Sequence, residues 1–371
     1  MAAPYTTIPR TALKVPEPYH IGIPEQQLSD FKTLLKLSKI PAATYENLQE
    51  DGRFGVSRRW LEEMKGYWEE GFEWRKTEEH INSFPNFMST VTIPVENGEN
   101  EEYKIHFVAL FSEKQDAAPL VLLHGWPGSF LEFLPLLSLM RSKYTPQTLP
   151  YHLIIPSLPG YAFSSPPPLT RDFAMNDICK LVNQLMLDLG FGQTGYLAQG
   201  GDVGSFVARR LSAEYEACKA IHLNFFTAPT FPNPPEPAAQ KPLSEKEKVG
   251  IQRGQLFQTA GSAYAMEHAT RPSTIGLVLG SSPLALLAWI GEKFVHWSDE
   301  VPAKEEILRS VTLYWFTETL GRGIYPYRDI ISGCTNGAGV LGEAVGVFVF
   351  PQGAASDAEE LGGGVGKFGV L

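Results

Sequence analysis

From about residue 91 onward the chain alternates short β-rich runs with helical ones, and this alternation limits the available folds more than any other feature. The β-rich runs cover 103–111, 120–123, 153–156, 195–198, 220–226 and 345–350. Between the third and fourth, Ile178, Leu181, Val182, Leu185, Met186 and Leu189 recur at helical spacing, and Gly190 closes the run. That is the pattern of an amphipathic helix with a glycine C-cap. Strands separated by helices pair in parallel through crossovers, so the spacing predicts an α/β fold: a mostly parallel sheet covered on both faces.

The flanks have a different texture. The first ninety residues read as helical: Leu28, Phe31 and Leu35 form one apolar stripe, and Leu61, Met64, Trp68 and Phe72 form a second. The proline-rich stretch 227–240 cannot continue a sheet and reads as a hinge into an inserted helical segment, dense in aromatics and broken by Pro272 and Pro283. The end of the chain is loaded with glycine, which raises the entropic cost of ordering it. Composition narrows the functional classes. A net charge of −10 argues against a nucleic-acid partner. No apolar run reaches the ~20 residues of a membrane span, so no membrane anchor is expected. Cys179, Cys218 and Cys334 are odd in number and far apart, which suits free thiols in the cytoplasm better than a disulfide frame or a zinc site. No cofactor and no metal is expected, and a homodimer is left open.

The sharpest local signal is Gly200-Gly201-Asp202-Val203-Gly204-Ser205, between the strand-like run 195–198 and a helix-like run 206–211. Small residues two positions either side of a central one permit a strained strand-to-helix turn that lifts the central side chain above the sheet, a nucleophile elbow. Here the central residue is Asp202, and the dipole of the following helix is expected to keep it ionised. An Asp N-cap on an ordinary turn fits the same six residues, and the motif alone leaves both readings open. A second signal is His124-Gly125-Trp126-Pro127-Gly128 directly after the apolar strand 120–123. In α/β-hydrolases a loop at this place gives one oxyanion-hole amide and the residue after the nucleophile gives the other, which assigns the backbone N–H groups of Trp126 and Val203. His124 itself is expected to fix the loop and carry no proton.

Taken with Pro156-Ser157-Leu158-Pro159-Gly160-Tyr161-Ala162-Phe163-Ser164, Glu73-Trp74-Arg75 and Asn82-Ser83-Phe84-Pro85-Asn86-Phe87, these motifs resemble the microsomal-type branch of the epoxide hydrolases, especially its soluble fungal members. The resemblance runs from about residue 19 to 351. It implies an α/β-hydrolase core with an N-terminal helical arm (1–90), core segments at 91–228 and 331–371, the latter incomplete, and a helical lid at 229–330. It also implies a reaction in which an aspartate attacks an epoxide carbon, two lid tyrosines protonate the leaving oxygen, and a His–acid pair hydrolyses the resulting ester to a diol. Asp202 matches the nucleophile. Tyr264, in Gly261-Ser262-Ala263-Tyr264, resembles the first lid tyrosine, and Tyr327, in Tyr325-Pro326-Tyr327-Arg328, the second; Tyr325 is the nearest decoy. The implied partner is a small apolar epoxide.

The departure from the pattern lies near the C-terminus. Gly346-Val347-Phe348-Val349-Phe350-Pro351 resembles the strand before the acid, but Gly353 stands where the acid is expected, with Asp357 displaced by four residues. No histidine follows His296, and both His268 and His296 precede the acid position, contrary to the nucleophile–acid–histidine order. Three functions are therefore carried forward: an epoxide hydrolase; a truncated or impaired homologue that is alkylated without turnover; and a haloalkane dehalogenase, disfavoured because it would pair a halide-binding Trp or Asn with the aspartate in place of two tyrosines.

Overall fold

The computed structural model of the protein describes residues 4–95, 98–225, 244–335 and 347–349. Its strands are β1 (Glu17–Pro18), β2 (Asn86–Pro94), β3 (Asn100–Leu110), β4 (Ala118–Leu123), β5 (Tyr151–Pro156), β6 (Tyr196–Gly200), β7 (Cys218–Leu223) and β8 (Val347–Val349). They form one sheet in the order β1-β2-β3-β5-β4-β6-β7-β8. The central β5-β4-β6-β7 block is parallel, and the strands outside it pair antiparallel.

The parallel block is apolar because helices cover it. Val121, Leu122, Leu123, Leu153, Ile154, Ile155 and Ala198 are all buried, and each aliphatic side chain so placed stabilises the fold by about 1.5–3 kcal/mol. The expected amphipathic helix is α5 (Met175–Asp188), with Ile178, Leu181, Val182, Leu185 and Met186 all buried. Beside it, α6 (Val203–Glu214) packs Val207, Ala208 and Leu211 inward; α4 (Leu134–Lys143) follows the β4 loop.

The expectation of an all-helical first ninety residues needs correcting, since β2 begins at Asn86. Its inward side chains, Phe87, Ser89, Val91 and Ile93, alternate as a strand's should. Polar Ser89 and the flanking threonines hide that period in the sequence. The rest of the arm is helical as expected: α1 (Glu25–Leu37), α2 (Arg58–Glu70) and α3 (Trp74–Asn82). The arm's motif residues act as polar clamps. Asn82 exchanges hydrogen bonds with the Ile21 backbone at 3.0 and 2.8 Å, and Asn86 Nδ2 donates to the carbonyls of Ile81 and Phe84.

The inserted segment contains α7 (Glu245–Leu256), α8 (Ala263–Thr270), α9 (Pro272–Gly280), α10 (Pro283–His296), α11 (Lys304–Phe316), α12 (Thr319–Gly323) and α13 (Pro326–Thr335). Pro272 and Pro283 start helices, at the position where a missing N–H costs nothing. The arm meets this segment directly. Trp68 Nε1 donates to Thr312 Oγ1 at 3.0 Å, and Phe31 packs edge-on to Phe316. Among the described residues no single helix is long and apolar enough to cross a membrane.

Candidate active site

Two loops leave the sheet side by side. In the parallel β4–β6 pair Leu123 stands opposite Gly200, so the segments after each strand emerge at one edge, the end where open α/β sheets carry their ligands. Asp202 lies between β6 and α6 with φ 47° and ψ −123°, a left-handed conformation that costs a non-glycine residue about 1–3 kcal/mol. Close packing holds it there: a Cβ on Gly204 would strike the carbonyls of Leu123 and His124, and one on Gly125 would strike Asp202 Oδ1 and Val203 N. Although Asp202 sits at the N-cap position, its side chain makes no capping bond. Instead the Trp126 N–H donates to Asp202 Oδ1 at 2.8 Å, and the Val203 N–H also bonds the carboxylate. The geometry is that of an elbow, and the ordinary N-cap reading falls away.

Asp202 is ionised at neutral pH, as expected, but its pKa is shifted upward, against the sense in which a helix dipole acts. Burial raises its pKa to about 6, more than the Trp126 and Val203 amides lower it. The local donors and the helix terminus offset part of the desolvation cost and no more. Asp202 is charged at neutral pH and protonated by about pH 5.

Above the carboxylate lie both tyrosines that the sequence singled out. Tyr264, on α8, stacks on the Trp126 indole with ring centroids 5.2 Å apart and planes 15° from parallel. Tyr327, at the start of α13, meets Trp126 edge-on at 6.0 Å and Tyr264 at 5.7 Å. Their hydroxyls hydrogen-bond each other, and both sense the charge of Asp202. Burial is the main cause that pushes both phenols above their ordinary range, and Asp202 adds to it. Both therefore keep their protons at neutral pH. Tyr325 is engaged elsewhere: its hydroxyl donates to the Pro159 carbonyl at 3.0 Å. Trp297, 39% exposed, packs on Tyr264 and Trp126, so the aromatic group reaches from Asp202 to solvent.

The histidines near the site do not have a base's geometry. His124 is buried, and its Nε2 accepts the Leu158 N–H at 3.1 Å, the loop-fixing role expected of it. Burial lowers its pKa to about 4. His268 packs edge-on against Trp126 at 4.5 Å and against Tyr327 at 4.9 Å. Its Nε2 accepts from Trp289 Nε1 at 3.0 Å, which leaves the proton of the neutral ring on Nδ1. Burial, aided by buried Lys293, lowers its pKa to about 3. A ring with its acceptor occupied and its proton on the other nitrogen cannot take a proton from water. His296 is exposed, beside Gly52. Gly353 and Asp357 lie outside the described residues.

Sequence reasoning missed Glu132, in the turn of 3-10 helix Phe130–Phe133. Its carboxyl reaches back over Gly128, four residues earlier, where a Cβ would collide with Oε2. The spacing was the available signal: an acid one helical turn after the last glycine of the β4 loop points back at that loop. Tyr314, from α11, donates its hydroxyl to the Gly128 carbonyl at 2.8 Å. A separate cavity of about 960 Å³, lined by Phe31, Leu277, Trp315 and Gly321 among others, includes neither Asp202 nor the two lid tyrosines.

Comparison with known proteins bears on the family and the fold. The family model "Epoxide hydrolase N terminus" matches residues 16–133, and that of the "alpha/beta hydrolase fold" matches 118–243. The solved epoxide hydrolase of Aspergillus niger is 52% identical, with a TM-score of 0.82 over 89% of this chain and 83% of that one. A Dothistroma septosporum protein named "Putative epoxide hydrolase" is 44% identical over 94% of this chain and 81% of its own length. The juvenile hormone epoxide hydrolase of Bombyx mori shares the fold, with a TM-score of 0.66 over 85% of this chain and 75% of that one, at 23% identity. The chain belongs to the epoxide hydrolase family, built on the α/β-hydrolase fold.

Proposed function

We propose that the protein opens a small apolar epoxide toward a vicinal diol through an ester on Asp202. The observation that carries this reading is the Asp202 carboxylate, held by the Trp126 and Val203 amides, lying beneath two mutually hydrogen-bonded, protonated phenols. Asp202 Oδ attacks an epoxide carbon, the strained C–O bond breaks, and Tyr264 or Tyr327 donates a proton to the leaving oxygen. Water then attacks the ester carbonyl, and the two amides hold the developing oxyanion. The aromatic walls of Tyr264, Trp126 and Trp297 favour an aryl or similarly apolar substituent. Two buried free cysteines support a reducing, cytoplasmic setting.

The second half-reaction calls for a base. The occupied Nε2 of His268 favours a second reading for a polypeptide of these 371 residues: alkylation proceeds and ester hydrolysis is slow. Treating the purified chain with styrene oxide tests both halves. Intact-mass spectrometry is expected to show one epoxide added per chain and an adduct that outlasts hours of dialysis. A chain that never gains mass and forms no diol would refute the function. Many turnovers of diol per chain would refute the slow second step.

The pH dependence of labelling follows from Asp202. The nucleophile is the ionised carboxyl, and its pKa is raised to about 6. The labelling rate should therefore rise through pH 6, lie about tenfold below its plateau at pH 5, and stay flat into the alkaline range, since both phenols titrate above their ordinary values. Stopped-flow rates from pH 4.5 to 9 check this (an assay range, chosen on the order of two units either side of the expected inflection). A profile already flat at pH 4.5 would contradict the buried-carboxylate account.

A further inference from the structure

We propose that Glu132 is a further working residue of this site, a carboxyl that orients water against the ester formed on Asp202. The inference rests on the ester reading above, and it concerns only the second half-reaction.

The placement is the first argument. Gly125 and Gly128 belong to one loop; Asp202 Oδ1 occupies the space a Cβ on the first would need, and Glu132 Oε2 the space a Cβ on the second would need. The two carboxyls thus flank the loop that carries the Trp126 amide. Glu132 keeps accessible surface although protein atoms surround its carboxyl densely, so water can reach the group. The groups that face it are Asp202, the Ser129 N–H and the Tyr314 phenol.

Charge coupling supports the same role. Burial and then the Asp202 charge raise the Glu132 pKa to about 8, against the Ser129 N–H. In the free protein at neutral pH, Asp202 carries the charge and Glu132 the proton. Alkylation turns Asp202 into a neutral ester and removes one of the two causes that raise Glu132, so Glu132 ionises more readily once an ester awaits water. The step balances. Water oxygen bonds to the ester carbonyl carbon as Glu132 accepts the water proton. The tetrahedral oxyanion rests on the Trp126 and Val203 N–H groups. The bond to the product oxygen then breaks and that oxygen takes the proton back from Glu132; the freed Asp202 carboxyl passes its remaining proton to Glu132, which restores the charged Asp202 and protonated Glu132 of the free protein.

Two half-reactions measured on one protein test this. Wild-type, Glu132→Gln and Glu132→Asp chains are labelled with styrene oxide, freed of reagent, and followed by intact mass between pH 6 and 9 (roughly two units around the Glu132 titration). An amide imitates the protonated carboxyl, so E132Q should be labelled at close to the wild-type rate, which also certifies its fold. Its adduct should decay at least about tenfold more slowly, without the rise toward higher pH that the wild type shows, and E132D should restore part of both. Wild-type decay in a normally labelled E132Q would overturn the role of Glu132 and leave the nucleophile untouched. Failure of the wild type itself to be labelled would overturn the ester reading, and this proposal with it.

Discussion

Replacing Asp202 by asparagine is expected to abolish covalent labelling by an aryl epoxide while the chain keeps its fold. The amide has almost the same size, and its oxygen can still accept the Trp126 N–H that now reaches Asp202 Oδ1 at 2.8 Å. The backbone at φ 47° and ψ −123° carries the same strain for asparagine as for aspartate, since the two side chains share a shape. What disappears is the nucleophile: a neutral amide oxygen carries no charge to donate. Loss of a covalent nucleophile is worth about 10⁴-fold or more in rate, or roughly 5.5 kcal/mol at 1.36 kcal/mol per decade. Intact-mass spectrometry after exposure to styrene oxide reads the effect directly, with circular dichroism to show that the mutant is folded. Equal labelling of mutant and wild type would place the nucleophile elsewhere.

The second large effect is expected at the lid. Tyr264→Phe and Tyr327→Phe should each slow alkylation by about 10²-fold, and the double substitution should slow it further. The phenols hydrogen-bond each other and are pushed to high pKa by burial and by Asp202, so one can donate while the other supports it. Removing one leaves a donor with poorer geometry; removing both leaves the developing alkoxide without a proton. The replacement itself is gentle, since each ring remains to pack on Trp126. That stacking also supplies an optical signal: an adduct beneath Trp126 should change its fluorescence, and stopped-flow traces then give the alkylation rate. An unchanged rate in the double mutant would show that the lid tyrosines do not protonate the leaving oxygen.

Much of the site was legible because its motifs are local. Asp202 announces itself by the glycines that let α6 approach β4, and Trp126 by a loop that follows an apolar strand. Tyr264 and Tyr327 were separable from the other tyrosines only by their motif context. Periodicity gave α5 directly, because its buried face is almost wholly aliphatic. It failed at β2, where Ser89 occupies a buried position and breaks the apolar alternation. Tertiary effects were less accessible. That burial outweighs the helix terminus at Asp202 depends on what covers the carboxylate, Tyr264 and Tyr327 among it. That His268 is spent on Trp289 depends on a contact between residues of two separate helices, α8 and α10. Glu132 carried a spacing signal, but only the fold shows that its carboxyl shares a loop with Asp202.

The central claim is that Asp202 is the atom-bonding residue, and peptide mapping tests it most directly. The chain is treated with styrene oxide, digested briefly with trypsin near neutral pH, a time the expected ester outlasts, and sequenced by tandem mass spectrometry. The expected result is a single epoxide on the peptide spanning 181–209, with fragment ions that confine the added mass to Asp202. Modification confined to Cys179, Cys218, Glu132 or a histidine, with Asp202 recovered unmodified, would contradict it.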